Sequence, residues 1–151
     1  MITSRWSIRL RRNSSAPPPS TGPSTSARSS TPGFPLGGNK FDLDRWDEAY
    51  FARLQDLLRT ASERDIVVEI CFFNCQYPKN WPLQALYHAN NVQGVGTCDH
   101  LGFQTLKDRA LVARQAAYVA EIVRRVNPFD NVILEICDEP GLFGTPAPDY
   151  H

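Results

Sequence analysis

The stretch NVILEICDEPG, residues 131–141, carries three carboxylates, Glu135, Asp138 and Glu139, in a run otherwise dominated by apolar residues. Apolar and β-branched residues in such a run predict a buried strand. Pro140 has no backbone N–H to donate and ends it. Side chains alternate along a strand, so Ile133, Glu135, Cys137 and Glu139 share one face, and Val132, Leu134, Ile136 and Asp138 share the other. The second set is mostly apolar and suits packing beneath a helix. The first is mixed, which suits the inside of a barrel, with Glu139 emerging at the mouth above Glu135. A carboxylate at a strand exit can be merely solvated, whereas one inside the sheet must be paired unless its face is open to water. The earlier run IVVEICFF repeats the pattern, with Glu69 beside apolar neighbours.

Other reactive side chains point elsewhere. Cys71, Cys75, Cys98 and Cys137 form no C-x-x-C pair, and His88, His100 and His151 are scattered, so no zinc or other metal site is expected. Cys71 and Cys137 lie within predicted strands and read as small core residues. A disulfide framework does not suit a chain with this much regular apolar pattern. The glycines of GVG, Gly94 and Gly96, lack the following helix that a phosphate loop needs, and no cofactor is expected.

These strands need positioning elements. Asp44 reads as a helix N-cap, with Asp47 and Glu48 in the first turn favouring the helix dipole. Tyr50, Phe51, Leu54, Leu57 and Leu58 then recur at helical spacing to about Arg64. After the strand IVVEICFF, a second helix fits residues 105–127, with apolar Leu111, Ala116, Val119, Ile122 and Val123, and ends at Asn127 and Pro128. The strand NVILEI follows. Two apolar strands joined by a helix predict a parallel pair with both faces covered, in an α/β fold. Between the first strand and the second helix run about 30 irregular residues, a length that inside a compact domain is usually functional or disordered. This loop holds Tyr77, Trp81, Tyr87, His88, Asn90, Asn91 and Phe103, too many aromatics for a linker. It leaves the C-terminal end of a parallel strand, where α/β proteins place their ligand sites. Trp81 and Tyr77 are candidates to stack on a ligand or to pack in the loop's own small core. His88 binds or orients a ligand, or has no special role. The asparagine pair contacts ligand or simply turns the chain.

The first 35 residues differ. RRNSSAPPPSTGPSTSARSSTPGFP is Ser, Pro and Thr with almost nothing to bury, and residues 1–35 read as a disordered segment preceding a domain over 36–151. The Arg- and Ser-rich start resembles an organellar transit peptide, but PPP and GP break the amphipathic helix such a peptide needs. WSIRL is too short and too charged for a secretory signal. A plain linker, or an altered reading-frame start, is preferred, and the cytoplasm is the default compartment. No run of about 18 apolar residues is present, so no membrane span is expected. Lys plus Arg and Asp plus Glu are 16 each, and this zero balance gives no overall field for nucleic acid or an anionic membrane. The balance is uneven along the chain. Residues 1–41 hold six basic residues and no acid, leaving ten basic and sixteen acidic residues, a net of −6, beyond them.

NVILEICDEP resembles the fourth-strand signature of clan A glycoside hydrolases, closest to the cellulase-like enzymes of glycoside hydrolase family 5, whose strand reads roughly Asn-Val-Ile-Tyr-Glu-Ile-Cys-Asn-Glu-Pro. KFDLDRWDEAYFARL, ASERDIVVEICFF and HANNVQGVG are similar to the segments around the third strand and its loop, in collinear order over about residues 31–145. The resemblance implies part of an eightfold β/α barrel that retains configuration while cleaving O-glycosidic bonds in a β-linked polysaccharide or oligosaccharide. It implies Glu139 as general acid/base. It implies sugar contacts from Asp138, His88, Asn90, Asn91, Trp81 and Tyr77. A retaining enzyme needs a second carboxylate about 5–5.5 Å from the first. The family takes that nucleophile from the seventh strand, which this chain does not reach. Glu135 lies roughly 13 Å back at ~3.3 Å per residue. Asp138 also stands where the family has asparagine, and an ionised carboxylate cannot donate to a sugar hydroxyl. A complete barrel needs about 250 residues, so the expectation is a central fragment. The alternative is a non-catalytic partial barrel that binds glycan or a partner, or self-associates through open sheet edges.

Overall fold

The computed structural model describes the backbone of residues 8–12 and all atoms of residues 32–74 and 77–138. Glu139, Cys75 and His151 lie outside the described residues.

The core is a β-strand, a helix and a parallel strand. β4 (Ile66–Asn74) and β5 (Val132–Asp138) pair in parallel from Val68↔Val132 to Asn74↔Asp138. The helix α2 (Arg109–Val126) lies between them in sequence. Such a parallel pair needs a crossover, and α2 supplies it. The helix α1 (Glu48–Ser62) precedes β4. Both helices bury the same face of the sheet. Val68, Ile70 and Phe72 of β4 meet Phe51, Leu54 and Leu58 of α1 and Tyr118, Ile122 and Val126 of α2 in one cluster. The described helices therefore cover one face, not both. The other face carries Glu69, Cys71 and Glu135. The expected α/β class and parallel pair are present.

Three further strands were not expected from the sequence. β1 (Ile8–Arg12) adds antiparallel to the outer edge of β4, giving the order β1-β4-β5. It falls inside the Ser/Pro-rich segment, where Ile8 and Leu10 alternate with arginines. β2 (Gly33–Gly37) and β3 (Lys40–Trp46) form a hairpin. Its turn needs the left-handed backbone of Gly37, Gly38 and Asn39, with φ of 89°, 56° and 58°. The hairpin moves the start of α1. Asp44 is a strand residue, and the N-cap is Asp47, whose Oδ1 accepts from Ala49 N at 3.0 Å and Tyr50 N at 3.2 Å. Phe41, Asp42, Leu43 and Asp44 alternate at the period of a strand, and that pattern outweighs a capping residue three positions too early.

The second helix starts at Arg109 rather than Thr105, because Asp108 Oδ1 caps Leu111 N at 3.0 Å. Its buried stripe is Leu111, Gln115, Tyr118, Ile122 and Val126. Ala116 and Val123, expected in the core, are exposed. The stripe is turned by one position because Tyr118 fills the space beside Phe72 and Phe73, with ring centroids at 6.1 and 5.7 Å. Its end at Asn127 is as the sequence predicts.

Two polar devices tie the layers together. Asn131 Nδ2 donates to Leu58 O at 3.1 Å and Ile66 O at 3.0 Å, while Val68 N donates to Asn131 O at 2.8 Å. The first residue of the carboxylate-bearing stretch thus clips α1, β4 and β5 at their shared end. Arg125 donates to both carboxylate oxygens of Glu48 at 2.7 and 2.6 Å and to Glu121 at 2.7 Å, with its guanidinium carbon 4.5 Å from the centre of the Phe51 ring. The Arg125 hydrogen bond holds the Glu48 carboxyl below its ordinary range, and Arg124, then Arg125, do the same for Glu121. A depressed folded-state pKa adds stability that is present above the unfolded value, near ~4.3, and is lost as pH falls through the folded value. Thermal melts should therefore show stability falling as pH drops below about 4. Arg125→Met should lower Tm by a few degrees at pH 7 and flatten that acid dependence.

Candidate functional site

The C-terminal ends of β4 and β5 lie side by side, with Asn74 level with Asp138. The chain leaves β4 there and wanders through the long loop before entering α2. That loop is ordered around its own core. Trp81, Phe103 and Leu111 are buried together, with Phe73, Leu86, Tyr87 and Cys98 packed against them. The Trp81 ring centroid lies 5.0 Å from that of Phe103 and 5.7 Å from that of Tyr87. Trp81 Nε1 donates to Cys98 O at 2.7 Å. Three single 3-10 turns, Trp81–Leu83, His88–Asn90 and Gly102–Gln104, replace longer elements.

The structure gives each sequence-derived candidate a definite place. Trp81, 2 % exposed, is the centre of the loop core and presents no face for stacking. Asn90 Nδ2 donates to Pro82 O and Gln84 O, both at 2.8 Å. Asn91 Nδ2 donates to Ala85 O, Tyr87 O and Val95 O, and its Oδ1 accepts from Val95 N at 3.0 Å. Both amides are buried and hold the loop's turns, the work that a backbone without regular structure hands to side chains. His88 is half-buried with its ring 4.4 Å from that of Tyr87. Tyr77 is 45 % exposed where the chain leaves β4. Asp138 is half-buried at the last described position of β5.

The loop group and the strand end communicate through Phe103 and Gln104. Phe103 packs on Phe73 at 5.9 Å. Gln115 Nε2 donates to Phe103 O at 2.9 Å, fastening the loop to α2, and Gln104 Nε2 lies 4.0 Å from Cys137 Sγ. Beside these residues opens a cavity of about 340 Å3, lined by Phe73, Phe103, Gln104, Val112, Gln115, Ala116, Val119, Ile136 and Cys137. The lining is almost wholly apolar, so it suits a hydrocarbon surface better than a hydroxyl-rich one.

Several supports of the loop escaped the sequence reading. Gln93 Nε2 donates to Asp42 at 2.7 Å and Asp44 at 2.9 Å, and Lys40 Nζ donates to Ala89 O at 2.5 Å. Arg114 pairs with Asp44. Together these anchor the loop and α2 to the hairpin. Gly96 has φ of 82°, and a Cβ there would stand 1.9 Å from Leu86 O. Its place in GVG signalled a turn demand, not a ligand.

The thiols are quiet. Burial first, then a hydrogen bond to Glu135, pushes the Cys71 pKa up to about 12, and its Sγ donates to Phe73 O at 2.9 Å. Burial, then Asp108, pushes the Cys98 pKa up to about 11. Both stay protonated at neutral pH and are poor nucleophiles. Glu135 stands opposite Cys71 in the sheet and is half-buried. Among the described residues no group of three His, Cys, Asp or Glu is placed to hold a metal, and no helix is long and apolar enough to cross a membrane. Neither family models, nor curated proteins, nor solved structures gave a match to this chain.

The loop's dependence on backbone shape is testable. Gly96→Ala should destabilise the protein by about 2 kcal/mol or more, since it adds both strain and a clash. Gly94→Ala, where the added carbon meets nothing within 4 Å, should cost less despite its positive φ. Chemical denaturation of the two variants measures the difference.

Proposed function

We propose that this chain carries the acid/base strand of a retaining glycoside hydrolase acting on a β-linked polysaccharide or oligosaccharide, within a (β/α)8 barrel of the cellulase-like type. One observation supports it most. The NVILEICD run is a parallel strand, joined to its neighbour through α2, and it delivers Asp138 to the strand exit beside a long ordered loop. Glu139 follows directly and is assigned the general acid/base. It protonates the leaving oxygen, then takes a proton from the water that releases the sugar. The nucleophile is assigned to a strand outside this sequence, because Glu135 is engaged with Cys71 and lies too far back along β5. Tyr77 and His88 are proposed to meet the sugar. Trp81, Asn90 and Asn91 are proposed to act by holding the loop that presents them.

Asp138 tunes this reading. An ionised carboxylate there removes the donor that asparagine would offer to a sugar hydroxyl. The same substitution favours a second reading, a module that binds glycan without turnover. In a complete barrel containing this chain, Glu139→Gln should lower kcat on unactivated substrates by about 100-fold or more, while Asp138→Asn should raise kcat/KM. Undiminished turnover by the Glu139 variant would remove the assignment. Glycan binding with no hydrolysis by the unaltered barrel would select the second reading.

A further inference from the structure

We draw no further inference here: the strongest candidate, the apolar cavity between α2 and the end of β5 that Val119, Ile136 and the buried amide of Gln115 line, is an open face of the sheet and helix, and nothing in the structure shows what covers it.

Discussion

The parallel ladder from Val68–Val132 to Asn74–Asp138 constrains where every other element sits. With side chains alternating across it, Val68, Ile70 and Phe72 must lie under helices, and α1 and α2 supply that cover. The same alternation sends Cys71 and Glu135 to the far face, where they meet each other and not the helices. Because the strands are parallel and in register, their exits coincide at one end of the sheet, where the proposed chemistry is assigned. Asn131 fixes the other end, with its amide bound to α1 and β4 at once.

The long loop solves a different problem. It leaves the sheet with few regular backbone hydrogen bonds, so side chains must satisfy the carbonyls. Asn90 and Asn91 do this from within, and Trp81 with Phe103 gives the loop a small core separate from that of the sheet. Gln115 and Gln93 then fasten it to α2 and to the β2–β3 hairpin. The loop is a packed wall beside the strand exits, and the residues that hold it together are the ones whose types most resembled ligand contacts.

That ambiguity marks the limit of what could be read from the residues alone. Strands β4 and β5 were legible because their apolar runs are bounded and β-branched, and both helices because of their 3.6-residue stripes. The start of α1 was misplaced since Asp44 and Asp47 are equally good caps, and only the hairpin turn at Gly37–Asn39 decides between them. The rotated stripe of α2 was hidden because Gln115 and Tyr118 are poor hydrophobic markers, yet both are buried. Asparagine and tryptophan carry no local signal separating ligand contact from scaffold. Their roles depend on carbonyls and rings many residues away.

The fold places a parallel strand that ends at Asp138 beside a packed aromatic loop, and the proposed chemistry rests on that exit. Its most direct test is the anomeric configuration of the first product released from a β-linked oligosaccharide by a complete barrel containing this chain, followed by proton NMR. The account predicts that the β-anomer forms first and then mutarotates. An α-anomer formed first would mean inversion, with carboxylates too far apart for a covalent intermediate, and would contradict it.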